Sequence, residues 1–297
     1  MTDPIDPLAL IGALESTGDY RVLRRLLPRP TGELVVSSST RIALFLDTER
    51  MGTEFGTDEI IELAMVPFAY SLEGTIEAVG SAFTAFNEPA QPIPPEITAL
   101  TGITQEMVTG QHIDAGAVEE LVSSAALVIA HNAAFDRPFV ERSWKIFETK
   151  PWACSMSQIP WSEEGFDGVK LRYLAMLSGF FYDAHRASAD CDAAIELLSR
   201  ALPRSQRRAL AVLLEAARQA TYRIWAENAP FEQKDVLKKR GYRWSGDVGR
   251  PPRCWYIDVA ENQCETETAF LLEYVLGPHA NPRVEKMTAL TRYSLRG

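Results

Sequence analysis

The 297-residue sequence has no CxxC pair; its four cysteines, Cys154, Cys191, Cys254 and Cys264, are dispersed. That excludes a zinc ribbon and a disulfide framework, and reads as reduced thiols in a cytoplasmic protein. No stretch reaches the roughly 18 consecutive apolar residues of a membrane span. The opening MTDPIDPLALIGALESTGDY has no basic segment ahead of its short apolar run, so no secretory signal is expected. Internal repeats and low-complexity tracts are also missing. Histidine is scarce, at four residues. Cationic charge is short as well: 30 Lys+Arg against 40 Asp+Glu give a net charge of −10.

That deficit is uneven. Residues 1–200 hold 14 basic and 29 acidic residues, whereas 201–297 hold 16 and 11. An acidic part and a basic part suggest different tasks, the first suited to cations and the second to phosphates. The length allows a catalytic domain with a smaller companion.

The expected organisation has four parts: a helical extension (1–39), a catalytic domain (40–203), a helical linker (204–220) and a basic, aromatic C-terminal domain (221–297). In the first, the Leu/Ile/Val spacing of LALIGALESTGDYRVLRRLL predicts a helix ended by Pro28 and Pro30. RIALFLD (41–47), IIELAMVPFAYS (from Ile60) and TIEAVGSAFTAFNEP (from Thr75) predict an antiparallel three-strand meander, with Glu73 and Gly74 at one turn. Helices are expected over 114–124, 134–147, 169–178 and 188–202, with a buried strand ALVIA at 126–130. Strands followed by helix–strand alternation predict an α/β fold, a mixed sheet flanked by helices. The tail from Thr221 reads as a small α+β unit.

Three short motifs carry chemistry. Asp47-Thr48-Glu49 closes the RIALFLD strand, and alternation puts both carboxylates on one face at a strand's carboxyl end, where α/β sheets bind ligands. HNAAFD (131–136) follows ALVIA and places Asp136 in the first turn of a helix. HRASAD (185–190) sets His185 before a helix and Asp190 within it. Taken singly, each has an ordinary explanation: a solvated turn, a helix-start acid complementing the dipole, a loop histidine. His131 and Asn132 read as a satisfied turn histidine and an N-cap, and His112 and His279 as surface. Glu62, Asp183 and Asp192 read as structural or solvated.

Together, in this order and spacing, the motifs resemble the DEDDh exonucleases, the DnaQ-like branch of the ribonuclease-H-like fold. PPEITALTGIT (94–104) is similar to that family's segment between its first two motifs, and the resemblance covers about 40–200. It implies a 3′→5′ exonuclease releasing nucleoside monophosphates. It further implies two Mg²⁺ or Mn²⁺ ions, with Asp47 bridging both. Glu49 and Asp190 would bind the ion that holds the nucleophilic water, and Asp136 would help place the second. His185 would be the general base. Hard cations favour such an all-oxygen set, and two of them suit phosphodiester hydrolysis. Thr48, Arg50, Met51, Leu100 and Thr101 are the implied contacts to the terminal nucleotide.

The expected partner is a single-stranded 3′ end, DNA favoured over RNA, with DNA repair as the setting. In the tail, Tyr222, Trp225, Phe231, Tyr242, Trp244, Trp255 and Tyr256 interleave with Lys234, Lys238, Lys239, Arg240, Arg243, Arg250 and Arg253. That mixture suits single-stranded nucleic acid. Protein docking and plain core building, which also needs aromatics, are the other readings. Alternatives for the whole chain are a proofreading subunit of a DNA polymerase and a catalytically inactive nucleic-acid-binding module.

Overall fold

A computed structural model describes residues 6–248 and 253–296; Arg250 of the basic set lies outside these residues. Helix α1 (Pro7–Glu15) is capped by Asp6, whose carboxylate accepts from the Leu8 amide at 3.0 Å. It ends well before the expected prolines. The Ser16 and Thr17 hydroxyls donate to the Ala13 and Leu14 carbonyls, and Gly18 turns the chain at φ +78°. These local bonds compete with the helix and stop it, so the Val22–Leu26 segment is extended and contains β1 (Arg24–Arg25).

The central sheet follows. Strands β2 (Thr40–Arg50) and β3 (Ile60–Ser71) are antiparallel. The third expected strand is present as two pieces, β4 (Ile76–Val79) and β5 (Phe83–Phe86), both antiparallel to β3. Short helices α2 (Pro95–Thr101) and α3 (Gln105–Val108) precede α4 (Ala115–Ser124), whose N-cap is Asp114. Then come β6 (Leu127–Ala130), α5 (Ala133–Ser143) and β7 (Trp152–Cys154). Strand β7 was not anticipated, since three residues are too few to show alternation. The sheet order is β4-β3-β2-β6-β7, with β2, β6 and β7 parallel.

Alternation along β2 and β3 divides the core. Ala43, Phe45, Ala64, Val66 and Phe68 face one side, packed with α6 (Leu171–Leu177), α7 (Ala187–Ser199) and α8 (Ala209–Arg218). Leu44, Leu46, Leu63 and Met65 face the other, packed with α4 and α5. Between α6 and α7, β8 (Phe180–Phe181) pairs with β1 and ties the N-terminal segment down. Helix α8, read from sequence as linker, buries Leu210, Leu213 and Leu214 in the first core layer. Its close approach requires Gly74, at φ +83°, where a Cβ would stand 2.5 Å from the Ala211 backbone.

The C-terminal sheet contains β9 (Thr221–Ala226), then, after α9 (Lys234–Arg240), β10 (Arg243–Trp244) and β11 (Trp255–Ala260). Beyond α10 (Cys264–Leu271) lies β12 (Val284–Met287). Its order is β10-β11-β9-β12, all antiparallel. Ile224, Ala226 and Val259 pack on Leu237 and Leu271 of the helices. The remaining residues, 288–296, leave this sheet and return to α5. Arg137, fully buried on α5, donates to the carbonyls of Arg292 (2.6 Å) and Leu290 (2.7 Å) and to Glu141 (2.7 Å). Glu141 in turn accepts from Ser294 (2.6 Å) and Arg296 (2.9 Å). Among the described residues no helix is long and apolar enough to cross a membrane, and all four cysteines are free thiols.

Candidate active site

Strand β2 outruns its parallel neighbour. Pairing with β6 stops at Phe45–Ile129, while pairing with β3 continues to Arg50. The last residues of β2 therefore border the crevice at the carboxyl ends of the parallel strands, into which α5 and α7 bring their first turns. Asp47 and Glu49 share one face of β2, as alternation requires, and Asp190 reaches them from α7. One carboxylate oxygen from each lies within 4.8 Å of the others.

The His185 loop is bound by the same acid. Asp190 accepts from the His185 amide at 2.9 Å and from the Tyr182 hydroxyl at 2.7 Å. His185 itself sits in the left-handed region (φ 67°) with its ring exposed. A non-glycine residue there is costly and persists only where surrounding contacts fix it. Glu62 supplies the other fixing contact. Completely buried on β3 and paired in register with Glu49, it accepts from Arg186 at 3.0 Å and from the Ala187 amide at 3.2 Å. Two acids facing each other across a strand pair repel, and Arg186 offsets that repulsion. Glu62 is thus structural, as expected, and Asp183 is a surface partner of Arg25 at 2.8 Å.

Asp136 is buried beside the cluster but outside the group of three. One oxygen accepts from Thr48 at 2.8 Å and from Arg50 at 2.9 Å. The Arg50 guanidinium lies 4.0 Å above the Phe135 ring and also donates to Thr48 at 2.6 Å. Thr48 and Thr101 have their hydroxyls engaged inside the fold, the latter donating to the Ile97 carbonyl and accepting from the Ile103 amide. Met51 is half-buried against Ile61, Ile93, Ile103 and Val108. Leu100 is the one implied contact that stands out into solvent, 53% exposed.

Electrostatics follow from this crowding. Burial, then the charges of Asp136, Asp190 and Glu49, push the Asp47 carboxyl well above the usual range, against the pull of Arg50. Burial and Asp190 raise Glu49 to about 7. Asp190 and Asp136 are also raised by burial, opposed by the Tyr182 and His185-amide hydrogen bonds and by Arg50 and Thr48, respectively. Counting Glu62, five carboxylates meet two arginines, a formal net charge of −3 when all are ionised. An all-carboxylate oxygen set with excess negative charge fits hard divalent cations.

His131 is a satisfied turn residue, as expected: its ring nitrogens lie 2.9 Å from Ser155 Oγ and 2.7 Å from the Val169 carbonyl, and burial lowers its pKa to about 4. Asn132 occupies the N-cap position but in the left-handed region (φ 88°), with no side-chain capping bond. Tyr182, Arg186 and the Arg50–Asp136 pairing were not anticipated. A tyrosine three residues ahead of His185 was the only available hint.

The RNase T family of exonucleases matches residues 44–198, just over half of the chain. A DNA polymerase III of the PolC type from Caldanaerobacter subterraneus subsp. tengcongensis is 29% identical over 190 residues, 61% of this chain but 13% of that protein. The chain thus spans a small fraction of that polymerase. The uncharacterized exonuclease CP81 of Escherichia phage 186 is 32% identical over 174 residues, covering 50% of this chain and 81% of the phage protein. Among solved structures, Escherichia coli exonuclease I in complex with a dA16 oligonucleotide aligns at a TM-score of 0.46 and 17% identity, over 75% of this chain and 64% of that one.

Proposed function

Since the chain belongs to the RNase T family of exonucleases, we propose that it hydrolyses the terminal phosphodiester of single-stranded nucleic acid from the 3′ end, DNA in preference to RNA, releasing nucleoside 5′-monophosphates. The observation that carries this reading is the convergence of Asp47, Glu49 and Asp190 within 4.8 Å, flanked by Asp136 and an exposed His185. Water adds to phosphorus, the bond to the leaving 3′ oxygen breaks, and that oxygen takes up a proton.

Asp47, Glu49 and Asp190, with Asp136 alongside, would hold two Mg²⁺ or Mn²⁺ ions, whose chemistry when bound is to acidify water and stabilise charge on the leaving oxygen. The residues do the rest. His185 accepts the proton of the attacking water. Asp190 fixes the loop that presents it. Arg50 and Thr48 favour the ionised form of Asp136 against its burial. Leu100 offers an apolar edge against which a terminal base can lodge. The setting proposed for this activity is DNA repair in the cytoplasm.

The polymerase relative favours a second reading, proofreading in association with a DNA polymerase. Digestion of end-labelled DNA and RNA with Mn²⁺, with EDTA and with His185→Ala tests the first. A metal-dependent ladder shortening from the 3′ end and lost in the variant is expected. Folded protein giving no ladder on any strand would refute it and leave the binding-module alternative.

A further inference from the structure

The two faces of the C-terminal sheet differ. Ile224, Ala226, Ile257 and Val259 pack on α9 and α10. The opposite face carries aromatic and charged side chains. There Arg243, Tyr256 and Trp225 stand in register across β10, β11 and β9, and Asp258, Arg223 and Glu285 across β11, β9 and β12. The Asp258 carboxylate accepts from both Arg223 (2.7 Å) and Arg243 (3.0 Å). The two guanidinium groups lie 4.4 and 5.1 Å from the Tyr256 ring centre. Trp225 donates to Glu285 at 2.8 Å. On this face, turned away from the helices, Trp225 and Arg223 are buried, while Tyr256 and Arg243 are partly and largely exposed, respectively.

A cavity of about 110 Å³ separates this face from the catalytic part, several times the space one water needs. Its far wall is Asn132, Ala134, Cys154 and Met156, at the carboxyl ends of β6 and β7. That is the same edge of the central sheet on which Asp47 and Glu49 sit. Two strand spacings separate β2 from β7, roughly 10 Å, so a strand whose 3′ end lies among the carboxylates can reach the cavity by running along the edge.

We propose that this cavity is a subsite for an upstream nucleotide of the same single strand, its base against Tyr256 and its phosphate on Arg243. The proposal rests on the exonuclease reading for the position of the 3′ end. Aromatic faces stack any base and arginines track phosphate, which is sequence-tolerant single-strand chemistry common to DNA and RNA. Arg243 is the more available cation, with 60% of its side chain exposed, and Arg223 is nearly covered. Asp258 holds both forks in place. Aromatic and apolar side chains line the cavity together with the two arginines, a mixture that suits a nucleotide, whose base is apolar on its faces and whose phosphate is anionic.

The test is equilibrium binding of 5′-labelled oligodeoxynucleotides and oligoribonucleotides, about three and sixteen residues long, to the full chain in EDTA. Wild type is compared with Arg243→Gln, Tyr256→Leu and, as a control for an exposed charge outside the cavity lining, Lys145→Gln. Loss of the stacking ring should weaken binding of the long strand roughly 5- to 150-fold. Loss of one phosphate contact should make the slope of log affinity against log salt shallower by about 0.7. Both effects should be similar for DNA and RNA, present already in the three-residue strands, which span the roughly 10 Å to the cavity, and absent in the control. Unchanged affinity and salt slope in Arg243→Gln would overturn the subsite while leaving 3′ digestion intact. Conversely, weakened binding in the variants of a wild type that digests nothing would sustain a strand-binding cavity and refute the exonuclease reading.

Discussion

Arg137 offers a direct test of how the catalytic part is held together. Its guanidinium is fully buried on α5, next to Asp136, and burial pulls its pKa down against the opposing charge of Glu141. Arg137→Met keeps the bulk and removes the donors. Three contacts vanish at 2.6–2.7 Å, to the carbonyls of Arg292 and Leu290 and to Glu141. At about 1.5–3 kcal/mol for each charge-assisted bond the simple total would exceed 4 kcal/mol. Glu141, however, keeps Ser294 and Arg296 as partners, and a methionine recovers packing. The expected loss is therefore that of a broken buried pair, about 3–5 kcal/mol. In a chain of this size that lowers Tm by about 6–10 °C, at roughly 2 °C per kcal/mol. Calorimetry reads the stability, and carboxypeptidase digestion reads whether residues 288–296 have come loose. If Arg137→Met melts within about 1 °C of wild type and its C-terminal segment stays resistant, the segment is not held in this way.

Metal-free protein should lose stability as pH rises. Glu49 has its folded pKa raised from 4.5 to about 7, so its neutral form contributes below pH 4.5 and that contribution is lost through pH 7, about 3 kcal/mol in all; melting in EDTA between pH 4.5 and 8 would refute this by staying flat. Saturating Mn²⁺ should raise Tm, by roughly 2.7 kcal/mol of stability at a hundredfold excess over Kd, and Asp47→Ala should abolish the shift; an equal shift in the variant would remove Asp47 from the site. His185→Ala should lower kcat by about 10²- to 10⁴-fold with Tm unchanged, and near-normal turnover would exclude it as the base. Tyr182→Phe should weaken Mn²⁺ binding by removing a donor that orients Asp190, readable by calorimetric titration; identical affinity would show that the hydroxyl has no such effect.

The candidate site residues are legible in sequence because their placement is local to each element. Alternation alone puts Asp47 and Glu49 together, and a helix start alone positions Asp136 or Asp190. Their convergence needed the family resemblance, since nothing in the spacing of 47, 136 and 190 tells which helix faces which strand. The cations that answer the carboxylates were less visible. Arg50 was read as a nucleotide contact, yet its reach to Asp136 depends on where α5 docks; Arg186 finds Glu62 only because β3 and α7 abut. The first helix was over-extended because periodicity outweighed the hydroxyls of Ser16 and Thr17, and α8 was taken for a linker because its partners lie far off in sequence.

The return of residues 288–296 to α5 also bears on how the chain is made. Arg137 emerges from the ribosome 155 residues before Arg292, whose carbonyl it needs. At about 5–20 residues per second, that interval lasts roughly 8–30 s. Throughout it the guanidinium next to Asp136 has only part of its shell and must remain hydrated, so α5 cannot settle fully against its sheet. The nascent chain is thus kept immature by its own topology, and a product cut short before residue 288 would carry its defect in the helix that bears Asp136.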